Sequence, residues 1–242
     1  MFKWNKIKIH YLLRLTVFWF LYFALFRVIF IVYHHAKIPD GQHSETSFSF
    51  LYALQLDLAT ICLMLIVPYI LWVLQQFYKN KLIHQINLGY NILQISIVSV
   101  LSIFNIKIYG EYGSLLNTED LVYLIYPKEA VTFLSIWSLL LLLASSAFFA
   151  YIGIRTYRRN ITSFSLPFEN KKIKMIQIIL FPVCIFFGVR AGSKAIPEYE
   201  KGIHYSHIKI NNDIATNNIW YLGNSICNRK NTTYKNNHLN GQ

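Results

Sequence analysis

The chain reads as an all-α membrane protein of about five transmembrane helices, with a cytoplasmic N-terminus and a C-terminal tail outside the membrane. Three observations give this reading. Only 14% of the residues are charged and 55% are hydrophobic, whereas an ordinary soluble domain has about 25% charged residues. The charges are missing from long runs, most of which reach the roughly 20 residues needed to cross hydrocarbon. The basic residues gather in alternate gaps between those runs, which is the asymmetry that marks cytoplasmic loops.

The first span runs from Leu15 to Tyr33 and follows Lys3, Lys6, Lys8 and Arg14. It is too long for a signal-peptide core and lacks a small-residue cleavage site, so it reads as an anchor that stays in place. The second runs from Leu51 to about Leu74. The third, Leu88 to Ile106, is interrupted by Asn91, Gln94 and Asn105. The fourth, Val131 to Ile154, carries no charge at all. The fifth, Met175 to Val189, is short and contains Pro182, so it extends towards Ala195 or is tilted. The domain reading is a five-span unit over 1–195, an extracytoplasmic juxtamembrane linker over 196–227 and a polar tail over 228–242. That tail has too few apolar residues to build a core.

Orientation follows from the basic residues. Twelve stand before span one and in the gaps after spans two and four: Lys3, Lys6, Lys8, Arg14, Lys79, Lys81, Arg155, Arg158, Arg159, Lys171, Lys172 and Lys174. The other gaps hold three, Lys37, Lys107 and Lys128. The N-terminus is therefore expected in the cytoplasm, with the chain beyond Arg190 outside. The formal net charge of +12 reads as a topology signal towards anionic lipid and not as a nucleic-acid surface. Trp4, Tyr11, Tyr33, Tyr52, Trp72, Tyr78 and Tyr109 lie near span ends, where interfacial aromatics are expected. Cys62, Cys184 and Cys227 form no CxxC pair, so neither a disulfide scaffold nor a zinc site is indicated.

Two ionisable residues sit inside spans. Arg27 is six residues before the outer end of span one, and Asp57 is six residues after the outer start of span two. At 1.5 Å per residue both lie about 9 Å below the outer surface on neighbouring antiparallel helices. A charge pair follows, because each group alone costs about 2.5–3.5 kcal/mol in hydrocarbon. The pair reads either as a lock on the hairpin or as part of an outer-leaflet site for a phospholipid headgroup. Asn105 and Arg190 lie at a similar outer height. The loop Ile108 to Pro127 is punctuated by Gly110 and Gly113, with Thr118 as a helix N-cap. His204 and His207, with His34, His35 and His43 on the same side, supply no firm metal spacing. The chain holds no Gly-rich phosphate loop, nucleophile elbow or HExxH.

Three segments together resemble one family. They are Leu54-Gln-Leu-Asp-Leu-Ala-Thr60 ending near Val67-Pro68; Asn105-Ile-Lys-Ile-Tyr-Gly-Glu-Tyr-Gly113 continued by Leu121 to Ala130; and Gly188-Val-Arg-Ala-Gly192 followed by Ile196-Pro197, Tyr205-Ser206 and Asn211 to Trp220. In that order they are similar to the membrane portion of bacterial lipoteichoic-acid-synthase-like proteins of the sulfatase and alkaline-phosphatase superfamily. The resemblance covers about residues 12 to 226. It implies five spans, a juxtamembrane linker and a large extracytoplasmic domain. That domain would transfer phosphoglycerol, or in relatives phosphoethanolamine, using a Thr nucleophile and a divalent metal.

By this resemblance the chain departs where the catalytic domain is expected to begin. No catalytic residue carries over, and no cofactor is expected in this chain. The divalent metal belongs to the absent domain. Asp57, Tyr109, Glu111, Arg190 and the stretch around Asn217 match the pattern. With Arg27 and Asn105 they are the candidates for domain docking or lipid handling. The pattern has Gly where this chain has Ala191. The partners implied are membrane phospholipid and either the missing catalytic domain or an envelope protein. The competing reading is a self-contained membrane anchor or accessory lipid-binding protein without enzymatic activity.

Overall fold

The computed structural model describes residues 11–78, 80–121, 135–161, 171–194 and 203–227. Trp4, the expected start of the fourth span at Val131, the loop segment 122–130 with Pro127, and the tail 228–242 lie outside the described residues. Five long helices follow one another: α1 (Tyr11–Tyr33), α2 (His43–Phe77), α3 (Lys81–Tyr112), α4 (Ile136–Asn160) and α5 (Lys171–Lys194). Two short ones come after them, α6 (Lys209–Ala215) and α7 over 218–227. No strand is present among the described residues.

Four of these helices, α1 to α4, are long and apolar enough to cross a membrane. In α5 the apolar stretch among the described residues is shorter, Ile178–Ala191. The chain is therefore an all-α membrane protein, with four helices among the described residues long and apolar enough to span.

Residue pairs give the relative directions. Tyr11 meets Asn87 and Tyr22 meets Ser99, so α1 and α3 run parallel. Tyr11 also meets Tyr157, and Tyr22 meets the Phe149 carbonyl, so α4 runs against them. Gln55 bonds the Ala191 carbonyl and Tyr69 the Ile178 carbonyl, so α5 runs against α2. Directions thus alternate along the chain.

α1 buries most of its aromatic side chains and exposes many of its aliphatic ones. Phe18, Trp19, Tyr22, Phe23, Phe26 and Phe30 are buried, whereas Leu13, Val17, Leu21, Val28 and Val32 are exposed. With no hydrophobic effect separating lipid from core, packing decides. The flat rings interlock: Phe18 stacks on Tyr22 at 5.4 Å, and Tyr22 meets Phe26 edge-on at 5.1 Å.

Polar residues that interrupt α3 face inwards. Asn91 is fully buried and donates to Tyr11 and Asn87, and Gln94 donates to the Met64 carbonyl at 3.0 Å. This explains why the third span reads as weak in sequence yet forms a 32-residue helix.

Three expectations need correction. The loop expected from Ile108 starts later, since α3 runs through Gly110 and ends only at Gly113, whose φ of +65° suits glycine. Asn117, not Thr118, caps the next turn, its side chain accepting from the backbone N–H groups of Glu119 and Asp120. Tyr11, Trp72 and Tyr109 are buried, so of the expected interfacial aromatics described here only Tyr33, Tyr52 and Tyr78 are exposed.

α5 lies tightly on α2 at Gly188, where a Cβ would fall on the Cys62 sulfur. Gly188→Ala should therefore cost about 1–3 kcal/mol of overpacking in detergent unfolding. Adding Cys62→Ala should restore most of that loss. Simple addition of the two losses would show that the contact is not the cause.

Candidate functional site

The site is built on the α1–α2 hairpin. Arg27 donates through both terminal nitrogens to the two Asp57 oxygens, each at 3.0 Å. Such a fork is the strongest geometry the two groups can adopt. Arg27 Nε donates to the Ile214 carbonyl at 2.9 Å. The guanidinium lies 5.7 Å from the Phe50 ring centre. Both partners are buried, at 7% and 2% exposure.

Asp57 Oδ1 takes a second bond from Asn217 Nδ2 at 2.8 Å. Asn217 Oδ1 in turn accepts from the backbone N–H groups of Ile219 and Trp220, so it caps α7 in the manner of a helix N-cap. One asparagine thus joins the ion pair to the start of the last helix.

The linker segment 203–227 is folded against the bundle. α6 has only seven residues, too few to stand alone. Side-chain caps hold it. Asn212 Oδ1 accepts from the Tyr205 and Ser206 N–H groups, and Thr216 Oγ1 accepts from Ile203 N–H. Thr46 of α2 donates to Asn211 at 2.9 Å, and Tyr205 stacks on Tyr52 at 4.4 Å. Leu56, Ala59, Ile203, Ala215 and Trp220 close a small apolar cluster beneath.

α3 supplies the facing wall. Tyr109 donates to Asp213 at 2.8 Å, and Asn105 Oδ1 accepts from Leu116 N–H at 2.8 Å. Lys37 donates to the Tyr109 and Gly110 carbonyls, and Lys209 to Gly113. These lysines bond carbonyls in the last turn of α3 and offset the negative end of its dipole. His34 Nε2 donates to the Ile106 carbonyl at 2.9 Å, and burial pushes that imidazole down towards its neutral form.

Of the sequence candidates, Arg27, Asp57, Asn105 and Tyr109 converge on this centre with Asn217. Glu111 does not, since it pairs with Lys107 on the helix surface at 2.8 Å. Arg190 is an exposed residue of α5. Sequence reasoning missed Phe50, Asp213 and Ile214. Only Asp213 gave a signal, as the single acid in the stretch Asn211 to Trp220. Ile214 acts through its backbone, which no pattern reveals.

A cavity of about 40 Å³ lies between α1, α3 and the folded linker. Arg27, Asn105, Asp213 and Asn218 line it opposite Phe26 and Phe30. It has room for a few waters at roughly 10–15 Å³ each, and falls well short of the about 300 Å³ of a ligand pocket. Burial pushes the Asp213 carboxyl up, against the opposing pull of the Tyr109 hydrogen bond and the charges of Lys209 and His204.

Together the fold and this centre define an all-α membrane protein whose segment 203–227 is locked to its first hairpin. Comparison of the chain with protein-family models, with curated proteins and with solved structures finds no match.

Removing one partner of a buried pair leaves an uncompensated charge. Asp57→Ala should destabilise by about 3–5 kcal/mol in detergent unfolding. Adding Arg27→Leu should return much of that loss in a double-mutant cycle. Strictly additive losses would mean that the two charges do not depend on each other.

Proposed function

We propose that this chain is the membrane domain of a sulfatase-type phosphoglycerol or phosphoethanolamine transferase, similar to lipoteichoic-acid synthases. In this reading it anchors an extracytoplasmic metal-dependent catalytic domain and presents phospholipid to it. It carries no catalytic residue itself.

One observation supports the reading above others. Parts of all three segments that carry the resemblance meet at one place. Leu54–Thr60 supplies Asp57, Asn105–Gly113 supplies Asn105 and Tyr109, and Asn211–Trp220 supplies Asp213, Ile214 and Asn217. A segment that supports a separate domain has to hold a fixed position on the bundle. Buried ionic and amide contacts provide that where apolar packing against lipid does not.

The proposed topology has five crossings in a cytoplasmic membrane, with the N-terminus inside and 203–227 outside. The alternating helix directions and the twelve-to-three split of basic residues support it. The fifth crossing rests on α5, whose 24 residues span about 36 Å.

Two measurements test this. Cys227 is exposed on α7, Cys62 is buried and Cys184 lies on the apolar α5. A membrane-impermeant maleimide should therefore label intact cells at Cys227, and Cys227→Ser should abolish the labelling. Labelling only after the membrane is opened would invert the topology. An immunoblot of source membranes with an antibody to 228–242 tests the enzyme reading. A band far above 28.4 kDa is expected, carrying the metal-dependent domain. A band at that mass, with no partner domain attached, would make the chain a self-contained anchor.

A further inference from the structure

We propose that the exposed face of α4 ending in Tyr151, Arg155 and Arg159 seats one anionic phospholipid, its phosphate held by those three side chains and its acyl chain laid along the apolar residues before them. This seat is independent of the function proposed above. It lies at the opposite end of the bundle from the Arg27–Asp57 pair.

Only 17% of the apolar stretch of α4 is buried, the least of the four long apolar helices described. Its inner face packs against α1 and α3 through Gly153 and Tyr157. Arg155 and Arg159 stand two residues to either side of the buried Tyr157, which at about 100° per residue puts them on the opposite face. Both are exposed. On the outward side Leu141, Phe148, Tyr151 and Ile152 are exposed as well. From Leu141 to Ile152 the helix rises about 16 Å, which matches the roughly 15 Å of hydrocarbon in one leaflet. The arginines then stand at headgroup height.

Arg155 Nη1 donates to the Tyr151 hydroxyl at 3.2 Å. That hydroxyl keeps its own hydrogen to donate. Arg155 keeps further N–H groups, and Arg159, one turn on, has no partner among the described residues. A phosphate oxygen is the acceptor that suits guanidinium forks and a phenol together. The lipid has to be anionic, because among the described residues no Asp or Glu stands at this end to receive the ammonium of a zwitterionic headgroup. Asp40, Glu45 and Asp57 stand near the α1–α2 turn, Glu111, Glu119 and Asp120 near the end of α3, and Asp213 on α6, all in the other half. Arg14, Lys81 and Arg158 add positive charge here. The negative end of the α4 dipole opposes an anion, and Arg14 offsets it by donating to the Asn160 carbonyl at 3.3 Å.

The test is native mass spectrometry of the full chain in detergent, titrated with phosphatidic acid or phosphatidylcholine. Phosphatidic acid has no head alcohol to transfer, so its binding is separate from any donor lipid of the proposed transferase, and its failure to bind leaves that reading intact. It should bind severalfold tighter than phosphatidylcholine, and inorganic phosphate should not displace it. Arg155→Gln and Arg159→Gln should each weaken it about fivefold, and together about 25-fold. Lys81→Gln removes the same charge from α3 at the same end and should leave binding nearly unchanged. Equal affinity for the two lipids would overturn the proposal. So would a loss in Lys81→Gln as large as in Arg155→Gln, which would mean diffuse attraction, and so would displacement by millimolar inorganic phosphate, which would mean a site for the free ion. All three substituted side chains are exposed, so the variants should keep the wild-type melting temperature. Should the double variant fail to accumulate, the single ones decide.

Discussion

An arginine and an aspartate placed alone in hydrocarbon each oppose insertion. Forked together at 3.0 Å in α1 and α2, they cancel as charges and still leave lone pairs and N–H groups unmet. The half of the molecule around the α1–α2 turn is arranged around meeting them. The Ile214 carbonyl takes Arg27 Nε, and Asn217 reaches the remaining Asp57 acceptor. The pair thereby helps to fix a segment that also buries Ile210 and Ile214 in the main core and Leu222 beside Ile108 and Leu116. Without the pair, α6 and α7 would retain their caps and these apolar contacts. The pair also gives α1 and α2 a common register, which aliphatic contacts alone define poorly because they can slide.

Polar contacts recur at three heights. Near the start of α1, Tyr11 joins Asn87, Asn91 and Tyr157. Midway, Tyr22 bonds Ser99 at 2.7 Å and the Phe149 carbonyl at 3.0 Å. At the far end stand His34 and Tyr109. Each is a tyrosine or histidine from α1 or α3 that finds an acceptor across the bundle, with aromatic packing between. Parallel α1 and α3 are thus pinned at both ends and in the middle. α4 joins them closely at Gly153, where a Cβ would press on Ile95 and Tyr22.

Much of this was legible in the sequence. Charge-free runs gave the helices, and equal depth from the outer boundary brought Arg27 and Asp57 together before any coordinates. That argument worked because a helix rises by a fixed distance per residue, so sequence position converts into height. The folded linker was not legible. Its hold depends on the Ile214 carbonyl and on asparagine amides used as caps, and neither has a hydrophobic period. The end of α3 was misplaced for a related reason. Gly110 and Gly113 look alike in sequence, yet only Gly113 adopts a positive φ. Asn105 was found by its height near the end of the third span and Tyr109 by resemblance, and the partner of Tyr109, Asp213, lies 104 residues away.

The separation between the pair and its later partners has a consequence for biosynthesis. Arg27 and Asp57 stand 30 residues apart, whereas Asn217 follows Asp57 by 160. At ribosomal rates of about 5–20 residues per second, roughly ten to thirty seconds pass between insertion of the hairpin and arrival of its last ligand. Throughout that interval the two charges must sustain each other in lipid, with one Asp57 acceptor site and one Arg27 N–H still open. A lysine, offering a point charge without the fork, would leave a weaker nascent hairpin. Arrival of Ile214 and Asn217 then completes a site that has been waiting since the first hairpin entered the bilayer. The last described segment therefore acts as the closing step of assembly, and a chain stopped before it would keep an unfinished ionic centre in the membrane.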